Sequence, residues 1–406
     1  MTHMLQCLTT EGEILKDVSL DLSEAELIKA YQTMVLTRTL DTKMVALQRQ
    51  GRIGFYLPSY GEEACSVGSA LGVSNNDWFF PAYREQGAML LKGVTLNFII
   101  SHLRGSAEDE HKGRSLPGLF GCSSKRFVPP SAPVGTQISH AVGTAFASKL
   151  LDDKVNTIVY FGDGATSSND FHAGLNFAGV YKTPTVFFCK NNQWAISTNI
   201  SHQTASDGIA IKAKAYGFDG VVVDGNDILA VYMVTKSAME KAREGKGPTL
   251  IEAKTYRLSP HSTSDDGTRY QDQAEYKNWL SQDPIARFRK YLENSGIWNR
   301  DLEQEIQQKT ERQITEAITH AESSPMPSLD TLITDVYSEI PDSLKSDFQY
   351  FKDSKLYLKY FNFLNNQKIQ NRICDFFEKK KINHKRIIFI KQDNEEHFLE
   401  CYNNID

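Results

Sequence analysis

The sequence lacks the features that would place the protein in a membrane or on nucleic acid. It contains no run of eighteen apolar residues, so we expect no membrane-spanning helix. Its start, MTHMLQCLTTEGEILKD, has neither the apolar core of a secretory signal nor the Arg- and Ser-rich bias of a transit peptide, and it favours a cytoplasmic protein. The net charge of -5 over 406 residues argues against nucleic acid and anionic membranes as main partners.

Cysteine is scarce and dispersed. The chain has six cysteines and no C-x-x-C pair. This spacing favours free thiols over a disulfide framework or a metal cluster. The six are Cys7, Cys65, Cys122, Cys189, Cys374 and Cys401.

Hydrophobic periodicity predicts a long helix followed by an α/β segment. The helix covers residues 22–51: Ser23 and Glu26 form a capping-box pattern at its start, and Gly51 ends it. After a region punctuated by Gly and Pro, short apolar runs alternate with amphipathic ones, which indicates a parallel sheet flanked by helices, an α/β fold. The expected strands lie in 156–161, 185–189, 220–225 and 249–258, and the expected helices in 169–180 and 227–244.

Composition divides the chain into four expected parts. A helical extension covers 1–60, the α/β domain 61–283, a charged helical region 284–345 and an atypical tail 346–406. The tail contains no Ala, Gly, Pro, Val or Thr and is rich in Lys, Asn, Ile and Phe. It is either an added helical or interaction segment or the product of drift or a frameshift at an AT-rich gene end, and we assign it no function.

Two polar turns stand at the ends of neighbouring expected strands. Gly162-Asp163-Gly164 follows the first strand, and Asn191-Asn192 follows the second. A strand, helix and strand unit takes about thirty residues and returns both strand ends to one sheet edge, where ligands bind in open α/β sheets. A carboxylate and an amide oxygen there suit Mg²⁺, which commonly fills its other positions with phosphate and water. The spacing therefore predicts a diphosphate held through Mg²⁺ beside a helix N-terminus.

This stretch resembles the thiamine-diphosphate motif, a GDG followed some thirty residues later by NN. Over residues 22–340 the chain is similar to the alpha subunit of the decarboxylating component of 2-oxo acid dehydrogenase complexes. The segments that carry the resemblance are GRIGFYLPSYGEEA, FFPAYREQG, VGTQISHAVGTAFA, GDGATSSNDFHAGLNFAGVYKTPTVFFCKNNQWAIS, VDGNDILAVY and GPTLIEAKTYRLSPHSTSDD.

The resemblance implies the residues of a cofactor site. Asp163 and Asn192 would bind Mg²⁺ through their side chains, and Trp194 through its main-chain carbonyl. The residues whose backbone would approach the diphosphate are Gly162, Gly164 and Ala165.

Further side chains match the family's phosphate-binding and catalytic positions. Tyr83 and Arg84 match a diphosphate-contacting pair, and Arg257 matches a second arginine, since guanidinium pairs well with phosphate oxygens. His261 matches a histidine that approaches the cofactor and aids substrate chemistry and acyl transfer, so the resemblance implies both a cofactor contact and a catalytic role for it. Taken alone, the arginines would be read as surface ion pairs and the histidine as a solvated loop residue.

A Pro-containing loop, SAPVGTQ, matches a potassium-binding loop of the branched-chain members, although a plain connecting loop is the alternative. Its expected potassium ligands are Ser131, Pro133, Thr136 and Gln137, and its expected cofactor contacts are Ala132 and Val134. Ser262 matches a serine that is phosphorylated in mitochondrial relatives, where added negative charge beside a diphosphate would be repulsive.

The resemblance also implies partners and a substrate class. The chain would supply only the diphosphate half of the site, a beta chain would supply the rest in an assembly of two alpha and two beta chains, and a lipoyl-bearing transacylase would take the acyl group. HSTSDD and SAPVGTQ favour branched-chain 2-oxo acids, with pyruvate or an acetoin-type substrate as alternatives. The chain departs from the family at two positions. Ala82 replaces a Gln of branched-chain relatives, which weakens the substrate assignment, and Lys190 replaces an Arg, which keeps the charge but loses the bidentate fork. A non-catalytic assembly subunit is the alternative from another class.

Overall fold

The computed structural model describes residues 4–15 and 19–353. Two of the cysteines and most of the atypical tail therefore lie outside the described residues. The described residues belong to two compact units, one ending at residue 328 and the other beginning at 329. The four-part division expected from composition stays a prediction.

The first unit consists of ten α-helices and seven strands among its described residues. The helices are α1 Glu24–Arg49, α2 Glu63–Leu71, α3 Gln86–Leu91, α4 Leu96–Arg104, α5 Thr136–Leu150, α6 Asn169–Tyr181, α7 Ile228–Arg243, α8 Gln273–Leu280, α9 Pro284–Asn294 and α10 Arg300–Ser323. The strands are β1 Trp78–Phe80, β2 Thr157–Gly162, β3 Thr185–Asn191, β4 Trp194–Ala195, β5 Thr198–Asn199, β6 Asp219–Asp224 and β7 Thr249–Lys254. The described part of the second unit contains α11 Thr331–Thr334 and α12 Asp342–Asp353.

Five strands form one parallel sheet in the order β1-β2-β3-β7-β6. The central strands β2 and β3 are almost wholly buried, as expected for strands covered on both faces. The predicted α/β fold with helices around a parallel sheet is thereby confirmed. The order also places the carboxyl ends of β2, β3 and β7 next to one another.

Helices cover both faces of this sheet. Along β2, Ile158 and Tyr160 belong to one apolar core, while Val159 and Phe161 belong to a second, because successive strand side chains point to opposite faces. The first core includes buried side chains of α1, α2 and α7, and the second those of α5 and α6. The two-sided burial makes the sheet a fixed platform for the residues at its edge.

The structure differs from the sequence-based expectation in two places. The strand expected over 249–258 ends at Lys254, because its neighbour β3 ends at Asn191, the residue paired with Lys254. The region punctuated by Gly and Pro holds β1, α2, α3 and α4, which are three to nine residues long and therefore too short for a clear period. The predicted capping box of α1 is present, with Ser23 and Glu26 bonding reciprocally.

Two expected absences can be checked only where the chain is described. In that part the four cysteines are free and buried. Within 4–15 and 19–353, no helix combines the length and hydropathy needed to cross a membrane.

Candidate active site

Polar residues predicted for the site follow the ends of adjacent strands. Asp163 comes directly after β2, Asn192 after β3, and Arg257 lies three residues beyond β7. Arg84 follows the edge strand β1. The parallel order of these strands gathers the four residues at one sheet edge.

Asp163 is a buried carboxylate without a side-chain partner among the described residues. It opens a 3-10 helix, Asp163–Ser167, and is 1% exposed. Neither of its carboxylate oxygens accepts a hydrogen bond from any described residue. Burial raises the pKa of Asp163 to about 7, and the nearby carboxylate of Glu62 adds to the rise. Burying an unpaired carboxylate is unfavourable, and a cation bound at this position would offset that cost.

The side-chain amide of Asn192 is held in one orientation by two partners. Its Nδ2 donates to Glu62 Oε1 at 2.7 Å, and its Oδ1 accepts from the backbone N–H of Trp194 at 3.2 Å. A carboxylate only accepts and an N–H only donates, so the identities of the amide N and O follow from the contacts. The oxygen keeps a second lone pair that can bind a cation.

The backbone around Asp163 leaves room for a ligand. A Cβ added at Gly162 would meet no atom within 4 Å, so the chain is open there. The same atom at Gly164 would lie 3.0 Å from Ala195 Cβ, on the two-stranded β4-β5 hairpin. Ala165 is buried, and the Ser168 side chain caps α6 by accepting from the Phe171 N–H.

Arg257 is a buried guanidinium whose described partners are all neutral. It donates to the carbonyls of Trp194 at 3.1 Å and Ile196 at 2.6 Å, and to the hydroxyl of Tyr270 at 2.7 Å. Burial, followed by the charge of Arg84, lowers the pKa of Arg257. The Trp194 carbonyl expected to bind Mg²⁺ is thus fixed by Arg257 and retains a lone pair. A buried cation with no carboxylate at hydrogen-bond distance favours an anionic ligand nearby.

Arg84 and His261 are joined directly although 177 positions separate them in the chain. Arg84 donates to the carbonyls of Pro58 and His261, the latter at 2.6 Å, and its Nη2 lies 3.1 Å from His261 Nδ1. Since guanidinium can only donate, Nδ1 accepts and the imidazole proton sits on Nε2. Tyr83 stands edge-on to the imidazole, with the ring centroids 6.1 Å apart.

His261 is neutral in this setting. Burial lowers its pKa to about 3, with help from the charges of Arg84 and Arg257. Its backbone N–H donates to Asp265 Oδ2 at 2.6 Å, which anchors the loop that also carries Ser262. The Ser262 side chain is buried and accepts from the Ser264 N–H. His261 can therefore offer an Nε2–H donor without carrying charge.

The potassium-type loop precedes α5. Thr136 Oγ1 donates to the Pro133 carbonyl at 3.1 Å, and Gln137 Nε2 donates to the Tyr160 carbonyl at 3.1 Å. The loop residues that are exposed are Ala132, Pro133 and Val134, while Ser131 is half-buried. The structure thus brings Thr136 and Pro133 together and leaves the expected cofactor contacts of this loop facing outward.

The sequence reasoning missed a group of charges beneath the site. Lys190 is buried and lies 2.6 Å from Glu85 Oε1 and 3.1 Å from Glu62 Oε2. Its amine is therefore engaged by carboxylates. The sequence does contain an indication of this group, because the segments GEEACSVGSALG and AYREQG place acidic residues within otherwise apolar, buried stretches. Charged side chains are seldom fully buried unless they are paired or bind a ligand.

The donor set fits a hard cation. Among the described residues no group of three or more His, Cys, Asp or Glu side chains could hold a metal. The edge offers one carboxylate, one amide oxygen and one main-chain carbonyl. Such a set suits Mg²⁺ when phosphate and water complete its coordination, and it does not suit zinc or iron.

Fold and site together define a class of protein. It is an α/β protein whose polar residues at the carboxyl edge of the sheet suit a cation and an anionic ligand. The family described as dehydrogenase E1 component matches residues 31–330, and the chain belongs to this family. The family depends on thiamine diphosphate.

Individual relatives indicate which type of subunit within the family the chain resembles. The chain is 45% identical over 326 residues to the 3-methyl-2-oxobutanoate dehydrogenase subunit alpha of Mycobacterium tuberculosis, covering 80% of this chain and 86% of that protein. It is 42% identical over 364 residues to the mitochondrial 2-oxoisovalerate dehydrogenase subunit alpha of Dictyostelium discoideum, covering 88% and 82%. The human protein of that name is 42% identical over 325 residues, covering 80% and 73%. The resemblance predicted from the sequence, including its branched-chain type, is confirmed.

Proposed function

We propose that the chain is the alpha subunit of a branched-chain 2-oxo acid dehydrogenase. It would take part in the oxidative decarboxylation of acids such as 3-methyl-2-oxobutanoate and in acyl transfer to a lipoyl group. The names of the relatives at 42–45% identity support branched-chain substrates over pyruvate or acetoin. The intact site residues argue against a non-catalytic assembly subunit.

The observation that carries the proposed cofactor site is the pair of unpartnered carboxylate oxygens on buried Asp163. Asp163, Asn192 and the Trp194 carbonyl would hold Mg²⁺, and Mg²⁺ would hold the diphosphate. The charges of Arg84 and Arg257 would stabilise the phosphate groups. When bound, thiamine diphosphate supplies the carbon nucleophile and the electron sink for loss of CO₂.

His261 would act on the substrate as a neutral hydrogen-bond donor. Arg84 fixes its tautomer, so Nε2–H is the group available to a substrate oxygen. A neutral donor orients an anionic 2-oxo acid without forming a competing ion pair, and one fixed hydrogen-bond donor aimed at developing negative charge contributes on the order of 10²-fold or more to rate.

The proposal extends to partners and setting. A beta subunit would complete the site in an assembly of two alpha and two beta chains, and a lipoyl-bearing transacylase would accept the product. Potassium at the 131–137 loop, phosphorylation at Ser262 and a cytoplasmic location also remain proposals; some relatives are named as mitochondrial.

The Asp163→Ala variant tests the site. Calorimetric titration with thiamine diphosphate should show Mg²⁺-dependent binding for the parent chain, assembled with its beta-type partner, and a loss of at least about 100-fold for the variant, since the charged ligand is gone. Asp219→Ala is the control, because Asp219 is exposed and pairs only with Lys241 among the ion pairs of the described residues. Unchanged affinity in Asp163→Ala would refute the site.

A further inference from the structure

We propose that Glu62 is a positioning residue that orients Asn192 for the metal. This proposal rests on the proposed Mg²⁺ site. Glu62 precedes α2 and is wholly buried. Its carboxylate lies between Asn192, which follows β3, and Arg84, which follows β1.

The first contact sets the amide. Glu62 Oε1 accepts from Asn192 Nδ2 at 2.7 Å. With the nitrogen held there, the amide oxygen is on the opposite branch, where the Trp194 N–H reaches it. Without a carboxylate at this place, only the Trp194 N–H would oppose a rotation by 180° about the last side-chain bond, which exchanges N and O. An amide nitrogen cannot bind a cation, so Glu62 selects the orientation that can.

The second contact balances charge beneath the site. Glu62 Oε2 lies 3.1 Å from Lys190 Nζ, and Oε1 lies 3.9 Å from Arg84 Nε. Glu85 pairs with the same lysine. Two carboxylates and two cations thus form a neutral buried group. Its contacts hold the Glu62 carboxylate in place, so that it cannot turn away from Asn192.

The expected size of the effect on Mg²⁺ affinity follows from residues that orient metal ligands in other proteins. Residues that hydrogen-bond a metal ligand typically change metal affinity about 10- to 100-fold when they are removed. We therefore expect that replacing Glu62 raises the Mg²⁺ concentration needed for cofactor binding, while the protein still folds. A purely structural buried ion pair would instead lower stability and leave the Mg²⁺ requirement of the folded protein unchanged.

Three variants of the full chain, assembled with its beta-type partner, separate these roles. Glu62→Gln removes the charge with little change in shape. Glu62→Asp keeps the charge for Lys190 and Arg84 but withdraws it from Asn192. Glu252→Gln is the matched control, since Glu252 is equally buried and accepts from the neighbouring Asn191 amide at 2.7 Å, yet its other bonds go to the backbone of 209 and 210.

The measurement is thiamine diphosphate binding by calorimetry across a Mg²⁺ series, with thermal unfolding without Mg²⁺ as the second readout. Glu62→Gln and Glu62→Asp should each raise the half-saturating Mg²⁺ concentration about 10-fold or more, and excess Mg²⁺ should restore binding. Glu252→Gln should lower the unfolding temperature and stay within about twofold in Mg²⁺ requirement.

The outcomes distinguish this proposal from the proposed function. If Asp163→Ala abolishes binding while either Glu62 variant that folds matches the parent, Glu62 is not a positioning residue and the Mg²⁺ site stands. A Glu62 defect that excess Mg²⁺ cannot relieve would also overturn the proposal, because it indicates collapse of the site. Absence of binding in the parent assembly would overturn both.

Discussion

Two charged residues give His261 its chemical character. Arg84 determines which ring nitrogen carries the proton, and Arg84 and Arg257, together with burial, keep the ring neutral. Asp265 holds the backbone of His261, so the imidazole enters the site from an anchored loop. The imidazole therefore offers a neutral Nε2–H donor, and its contacts with substrate and cofactor stay predictions.

Replacing His261 should separate binding from turnover. His261→Ala should leave thiamine diphosphate affinity within about threefold and reduce turnover with the natural lipoyl acceptor about 100-fold or more, because a positioned hydrogen-bond donor is lost. His320→Ala, an exposed histidine on α10, is the control. Steady-state rates beside calorimetry provide the check, and equal turnover in parent and variant would end the proposed role.

The neutral state of His261 also predicts a pH effect on stability. In the unfolded chain the residue titrates near pH 6.5, whereas in the fold its pKa is about 3. Between these values the unfolded state binds the extra proton, so stability is lost as the pH falls through this window. Parent stability relative to His261→Gln should thus fall by about 1–2 kcal/mol from pH 7 to pH 5, allowing for partial exposure. Urea unfolding at both pH values measures this difference, and a constant difference would contradict the neutral assignment.

At the scale of elements, the sequence predicted what repeats regularly and missed what is short or distant. The β2-α6-β3 unit has clear periods, so its strands and the shared edge of Asp163 and Asn192 could be expected. Strand β1, only three residues long, carries no period, so the place of Arg84 beside the sheet could not be seen. The role of Glu62 depends on contacts across 128 and 130 positions, with Lys190 and Asn192, which no local pattern reveals.

Helices α5 and α6 contain two glycines for which opposite effects are expected. A Cβ at Gly143 in α5 would meet nothing within 4 Å, whereas one at Gly174 in α6 would lie 2.8 Å from Ile138 Cγ2. Gly143→Ala should therefore stabilise the isolated chain by about 0.5–1 kcal/mol, through lower unfolded-state entropy. Gly174→Ala should destabilise it by about 1–2 kcal/mol, because α6 must move away from α5. Chemical denaturation measures both, and equal signs would contradict the packing described.

At the scale of the molecule, the proposed cation and diphosphate site lies at one edge of one sheet. The polar groups that carry it sit between residues 58 and 270, all in the first unit. The proposal that a beta chain completes the site rests on the family resemblance, so we expect activity only in the presence of a second subunit.

The most direct test is reconstitution with a beta-type subunit. Decarboxylation would be followed with 3-methyl-2-oxobutanoate and with pyruvate, for the purified chain alone and for the copurified pair, in the presence of thiamine diphosphate and Mg²⁺. We expect no turnover by the chain alone, turnover by the pair, and a higher kcat/KM for the branched-chain acid. Clear turnover without a partner, or a preference for pyruvate, would contradict this expectation.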